Sequence, residues 1–450
     1  MPRNRGNHRN HLRVEMGSIK LDTMPEDILT HILLYGITDD FETKNNKCRK
    51  LFLLMISHTN QALRRFALST PCLWSTLYID IYRNCRYDGL LNLFRLWIER
   101  SGDSPLNYKI TAYAHTKTSA DVLELFFREK RRWKSVKLEF MKNTPHLSFE
   151  PTDMPCLQSL ELVSLRDYVP IEKIIHLSKS TQLGRLYLNQ VDSAQWRTIM
   201  KTIHTQQLTE LRLGLTDRKA DADSYLLKSL GMFTNLKRLK LGLHYMSKFD
   251  PVWSGPPVLL PNLTMLVLAT GCGKLTQYLT TPSLISISII SLKDEGSWIV
   301  NYFRRSRPPL EIMHLEIYYL ETDDLRFILQ EVPNLKTLSL IRTYFLNESE
   351  EPYDIWSLLH VDDPSLDILV PKLTDLLYEI LHCEANTNEE ILLLVDAVES
   401  RKRYIRNFHF HFLYCARGFS HDIRNILGTV NEPDAEDAHK HLVEMFRFSG

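Results

Sequence analysis

From Trp133 onward the apolar residues fall into one recurring frame, apolar-x-x-apolar-x-apolar, usually opened by Pro, Asn or Thr. The first copies are Trp133-x-x-Val136-x-Leu138, Leu157-x-x-Leu160-x-Leu162 and Leu183-x-x-Leu186-x-Leu188. Leu208-x-x-Leu211-x-Leu213, Leu236-x-x-Leu239-x-Leu241 and Leu263-x-x-Leu266-x-Leu268 follow. The last of the regular set are Leu284-x-x-Ile287-x-Ile289, Ile312-x-x-Leu315-x-Ile317 and Leu335-x-x-Leu338-x-Leu340. Their middle positions advance by 24, 26, 25, 28, 27, 21, 28 and 23 residues. Alternation within each frame predicts a short half-buried strand. Helical stretches lie between frames, at Val169–Ser178, Ala194–His204, Ser224–Met232 and Asp323–Gln330. A unit of one strand and one helix cannot bury its own apolar face, so neighbouring units must stack. A weaker tenth copy, Leu373-x-x-Leu376, follows an acidic, Pro-containing insertion from Asn347 to Pro364. Glu389–Arg403 then reads as an amphipathic helix. Phe408, Phe410 and Phe412 alternate with His409 and His411 as a final strand.

The N-terminal pattern differs. Thr23-Met24-Pro25-Glu26 has the form of a capping box, with Pro25 in the first turn where a missing N–H costs nothing. Ile28, Leu29, Ile32 and Leu33 form one apolar helix face. A second helical stretch runs from about Lys47 to about Leu68, with Leu51, Leu54, Met55, Ile56, Leu63, Phe66 and Ala67 as its apolar set. Pro71 stops it, and Trp74 and Leu77 follow. So small a unit holds only a marginal core, so the rest of the chain or another protein must cover part of this surface. Tyr78 to about Glu99 reads as strand, loop and helix, and Arg100-Ser101-Gly102-Asp103-Ser104-Pro105-Leu106 as a turn into a strand.

Two resemblances attach to these residues. Met24-Pro25-Glu26-Asp27-Ile28-Leu29-Thr30-His31-Ile32, followed by Ser69-Thr70-Pro71-Cys72-Leu73-Trp74, resembles an F-box of the form common in large fungal families. Met24 stands where Leu is usual, the Thr38–Asn46 stretch is long and polar, and Leu54-Met55-Ile56-Ser57-His58-Thr59-Asn60 replaces the usual Val-Cys-x-x-Trp. The Arg-Ser-Gly-x-x-Pro-Leu string at 100–106 extends the likeness. The repeats are similar to leucine-rich repeats, whose periods run from about 20 to 29 residues, although the usual Asn after the strand is mostly missing. The implied fold class is α/β: a helical F-box followed by an irregular leucine-rich-repeat solenoid with a curved parallel sheet. The implied domains are a disordered basic tail at 1–17, the F-box at 18–80, a connecting segment packed on the first repeats at 81–131, and the solenoid with its C-terminal cap at 132–450. The implied function is substrate recognition in an SCF-type (cullin–RING) ubiquitin ligase. The F-box would dock on a Skp-family adaptor through Pro25, Ile28, Leu29, Leu33 and Trp74, and the repeats would hold a target protein. Such a subunit does no bond chemistry and needs no cofactor. The alternative is a repeat scaffold or interaction protein outside the ubiquitin system.

Strand alternation also predicts a second face. Its residues are Ser159 and Glu161; Arg185, Tyr187 and Asn189; Glu210 and Arg212; Arg238 and Lys240; Met265 and Val267; Ser286 and Ser288; His314, Glu316 and Tyr318; Thr337 and Ser339; His409 and His411. Arg185, Arg212, Arg238 and Lys240 are expected to stack as a basic column beside Tyr187, suited to carboxylate or phosphate groups of a target. The Asn347–Pro364 loop is the next candidate for recognition.

Composition narrows the reading. The 55 Lys+Arg against 54 Asp+Glu argue against nucleic acid as the main partner. Arg3, Arg5, Arg9 and Arg13 make the first 17 residues locally basic. No apolar run approaches the ~18 residues of a membrane span, and no secretory signal is read. The seven Cys are dispersed and form no CxxC pair, which fits reduced thiols in the cytoplasm or nucleus. His409 and His411 share a strand face, but no further ligands converge on them to make a metal site. No P-loop, GxGxxG, HExxH or GxSxG motif occurs.

Overall fold

The structure is a computed structural model that describes residues 24–38, 52–81, 87–112, 117–140, 153–163, 177–216, 220–243, 253–269, 271–292, 296–317, 322–342, 356–360, 369–380, 393, 396–401 and 404–412. The basic tail, Thr23, the Val169–His176 stretch, Tyr318, most of the 347–364 insertion and everything after 412 lie outside them. The chain divides into two compact units, residues 1–79 with 85–109, and 80–84 with 110–450.

The first unit opens with helix α1, Glu26–Thr38, whose first backbone bond runs from the Leu29 N–H to the Pro25 carbonyl at 3.0 Å. Pro25 thus stands just outside the helix, within the one- or two-residue uncertainty of any helix end. The single second helix expected from about 47 to 68 is two: α2, Phe52–Thr59, and α3, Gln61–Ser69. Asn60 is extended and its side chain accepts the Leu63 N–H at 2.7 Å, so it caps α3 and interrupts the run. A 3-10 turn at Pro71–Ser75 leads to strand β1, Thr76–Ile81. Helix α4, Tyr87–Arg100, and strand β2, Leu106–Ala112, follow. Gly102, at φ +49, closes α4 in the left-handed region where a side chain is strained. Trp74 is fully buried here; its indole N–H donates to the Ala67 carbonyl at 2.6 Å, and Trp97 meets its ring edge-on with centroids 4.8 Å apart. Residues 85–109 therefore belong with the N-terminal helices, whereas the sequence reading attached 81–131 to the repeats.

In the second unit, helix α5, Lys117–Arg128, precedes strand β3, Trp133–Phe140. The strands β4, Ser159–Val163; β5, Arg185–Val191; β6, Glu210–Leu215; and β7, Arg238–Leu243, succeed one another. Two-residue β8, Val258–Leu259, precedes β9, Met265–Leu268, and two-residue β10, Leu279–Thr280, precedes β11, Ser286–Leu292. β12, Ile312–Ile317; β13, Thr337–Arg342; β14, Asp375–Ile380; and β15, Asn407–Phe412, complete the series. β3 to β7, then β9, β11 and β12 to β15, pair in parallel in that order, while β8 and β10 pair parallel in a separate two-stranded sheet. Connections include helices α6, Ser193–Thr202; α7, Ala220–Leu230; α8, Gly296–Ser306; and α9, Thr322–Gln330, close to three of the predicted stretches.

One backbone device fixes the register. The carbonyl of the residue before each strand accepts two N–H groups from the next repeat. Gln158 takes those of Gly184 and Arg185, Gly184 those of Thr209 and Glu210, and Thr209 those of Lys237 and Arg238, at 2.8–3.1 Å. The same pattern recurs at Lys237, Thr264, Ile285, Glu311, Lys336 and Thr374. Val136, Leu160, Leu186, Leu211, Leu239, Leu266 and Ile287 thereby align side by side. The next in line is Met313, not Leu315, because Ile287 pairs with Met313 and Met313 with Leu338. That copy is properly Leu310-x-x-Met313-x-Leu315, all three fully buried, and the uneven 28- and 23-residue steps become 26 and 25. Leu376 and Phe408 continue the row.

The architecture is α/β with a long parallel sheet, but the sheet is not curled into a solenoid. Curvature in a stacked array comes from a regular rotation per repeat. The described connections mix α-helices with short 3-10 turns at Leu177–Lys179, Thr205–Gln207 and Gly273–Tyr278. Near the far end, the buried guanidinium of Arg401 ties three carbonyls together, donating to those of Leu359, Leu369 at 2.7 Å and Val370 at 3.5 Å.

Candidate functional site

Two surfaces stand out. The first lies on α1. Leu29 and Leu33 are buried, as is Trp74, while Pro25, Ile28 and Ile32 are exposed. Leu29, Leu33 and Trp74 therefore hold the helices together, and of the five expected adaptor contacts only Pro25 and Ile28 reach the surface. The reason is geometric: an apolar run at i, i+1, i+4, i+5 spans too wide an arc for both halves to face one way, so Leu29 and Leu33 turn in and Ile28 and Ile32 turn out. Tyr35, 70 % exposed and seven residues after Ile28, extends that outer stripe. The spacing could have revealed it, but the aromatic ends the apolar run and was not singled out.

The second surface is the charged face of β5–β7. The expected single basic column resolves into two rows. One runs Arg185, Glu210, Arg238, Met265; the other Tyr187, Arg212, Lys240, Val267. The four cations share a face of three consecutive strands, but Glu210 stands between Arg185 and Arg238. Its largely buried carboxylate accepts Nε and a terminal nitrogen of Arg212 at 3.2 and 3.0 Å, and lies 4.0 Å from Arg238. The Arg212 guanidinium also lies over the Tyr187 ring at 4.3 Å. Burial above all, with a hydrogen bond to Glu210, pushes the Tyr187 hydroxyl above its ordinary value against the pull of Arg212. Further along, Lys137 and Glu161 pair at 2.5 Å across β3 and β4.

The second row is less open than alternation implied. Lys240, Val267, Ser288, His314, Ser339 and Leu377 are all buried, and His314 Nδ1 lies 2.8 Å from the Ser339 hydroxyl. Arg185, Arg212 and Arg238 are exposed. His409 and His411 align with Leu377 and Glu379. Among the described residues no cluster of three His, Cys, Asp or Glu could hold a metal ion, and no described helix is long and apolar enough to cross a membrane.

Burial, and next the adjacent Arg212, push the Lys240 ammonium down from 10.5 to about 7. A lysine whose folded value lies below its unfolded one binds fewer protons in the native state between those values. Its burial cost is therefore full below pH about 7 and is relieved as pH rises towards 10.5, so its contribution makes stability climb across that window. Lys240→Met is expected to stabilise the second unit by roughly 1–3 kcal/mol at neutral pH and below. The gap between variant and parent should close as pH approaches 10, which denaturant melts at stepped pH would show.

At the start of the strands the same face opens into a polar groove of about 460 Å³. Arg185, Lys237 and Arg238 line it with Glu210, together with Gln158, Gln182, Gly184 and Thr209. Gln158 and Gln182 meet side chain to side chain at 3.4 Å. Neither glutamine carried a sequence signal: Gln158 is a variable position of its frame and Gln182 precedes its frame. No family model matches the chain, and no curated protein matches it.

Proposed function

We propose that this chain is a substrate-recognition subunit of an SCF-type (cullin–RING) ubiquitin ligase: an F-box that docks on a Skp-family adaptor, followed by leucine-rich-repeat-like strands that hold a target. The observation that carries the reading is the open apolar stripe of Ile28, Ile32 and Tyr35 on the one helix whose sequence has the F-box form. Large exposed apolar patches on small units mark interaction sites. The one-strand-per-repeat ladder supports the second half of the reading. No residue is assigned to bond chemistry; such a subunit acts by holding its target at high effective concentration beside the transfer machinery.

The adaptor contact is thereby assigned to Pro25, Ile28, Ile32 and Tyr35, with Leu29, Leu33 and Trp74 shaping the helix beneath. The test is co-purification with a Skp-family adaptor. The parent chain should capture it, and Ile28→Glu with Ile32→Glu should weaken capture by at least about 30-fold while the melting of the unit is unchanged, because both side chains are exposed. Undiminished capture by the folded double variant would refute the assignment of this stripe. A parent chain that captures no adaptor would leave the repeats as a scaffold outside the ubiquitin system.

A further inference from the structure

We propose that the groove at the start of β4–β7 binds an extended peptide segment carrying two carboxylate side chains at positions i and i+3, with neutral or basic residues at the two positions between them. The proposal rests on reading this face as the target-binding surface, but not on the ligase reading.

The geometry sets the spacing. Arg185 and Arg238 occupy the same row two strands apart, with Glu210 as the Cα partner of both. Adjacent strands lie about 4.8 Å apart, so the two guanidinium stems are roughly 9.6 Å apart. A polyproline-type segment rises about 3.1 Å per residue with three residues per turn, which brings side chains i and i+3 to one edge at roughly 9.3 Å. Two acids at that spacing meet both arginines. A pair two or four residues apart turns one acid away.

The electrostatics set the composition. Arg212 already takes up one Glu210 oxygen, at 3.0 and 3.2 Å. Arg238 is only loosely held by the other oxygen, at 4.0 Å, and its side chain is 62 % exposed. Arg185 is exposed and has no ion-pair partner among the described residues. Two guanidinium forks are thus open to carboxylates, which they can grip with paired N–H donors. The Glu210 carboxylate, only partly neutralised by Arg212 and Arg238, disfavours a third acid directly opposite it, while Lys237, which also lines the groove, adds to the pull on the flanking acids.

The test uses the full chain and fluorescein-labelled proline-rich octapeptides measured by fluorescence anisotropy. The series has no Glu, one Glu, or two Glu spaced by two, three or four residues, plus the three-residue spacing with phosphoserine in place of both Glu. The three-residue Glu pair should bind about tenfold tighter than the single-Glu peptide and than the other spacings. Arg185→Ala or Arg238→Ala should each reduce it to the single-Glu level, with thermal melting unchanged. Glu210→Gln should remove the discrimination against a third Glu placed between the pair. Equal affinity across spacings, binding untouched by both arginine variants, binding of the phosphoserine peptide alone, or no binding would each overturn the proposal. Adaptor capture, measured on the same preparations, reports separately on the ligase reading.

Discussion

Trp74→Ala is expected to destabilise the N-terminal unit by about 3–5 kcal/mol, the range for deleting a large buried aromatic. The ring is fully buried, Trp97 packs edge-on against it, and the Arg100 guanidinium lies over it at 4.4 Å. The indole N–H also satisfies the Ala67 carbonyl near the end of α3. Truncation opens a cavity beneath both elements and leaves that carbonyl without its donor. Trp74→Phe should recover most of the packing but not the hydrogen bond, and so lose distinctly less. Amide exchange is the suitable readout, because it resolves the helices from the strands, and protection should fall across α3 and α4. Unchanged protection in α3 and α4, together with lost adaptor capture, would mean that Trp74 is a contact residue after all.

The second large effect is expected at Leu211→Ala, about 2–5 kcal/mol. Leu211 is fully buried within the row, with Leu186 on one side and Leu239 on the other. Parallel strands pinned on both edges cannot close in on the void, which places the cost in the upper part of the range. Leu211→Met, which conserves volume, should cost under about 1.5 kcal/mol. Arg212→Ala, next along the same strand and exposed, loses its pairing with Glu210 and its contact with the Tyr187 ring but opens no cavity, and should cost about 1–2 kcal/mol. Lost protection should centre on β5–β7, since each repeat is bonded chiefly to its neighbours. Similar values for Leu211→Ala and Arg212→Ala in denaturant melts would contradict the inward and outward assignment.

These contrasts follow from period alone. Eight of the nine frames located their strands in register, and their apolar members are the core, because a side-chain period of two leaves each apolar residue only one face to occupy. Helices at 193–202, 220–230 and 322–330 were legible for the same reason at a period of 3.6. The α2–α3 break was legible in principle at Asn60, a residue that favours capping over a helix interior, but the apolar run across it masked the signal.

Alternation says which face a residue occupies, and nothing about which residue stands beside it. That is decided by pairing. The doubly accepting carbonyls set the register, which moved the 310–315 frame by two residues and put Glu210 between Arg185 and Arg238 where a continuous basic column had been expected. Likewise the sequence marked Ile28, Leu29, Ile32 and Leu33 as one apolar set, and only packing against neighbouring elements sent Leu29 and Leu33 inward and left Ile28 and Ile32 facing out. A chain's own period is a local property and can be read along the sequence. The neighbour across a hydrogen bond, and the depth of each side chain, are non-local and exist only once the strands have paired and the helices have packed.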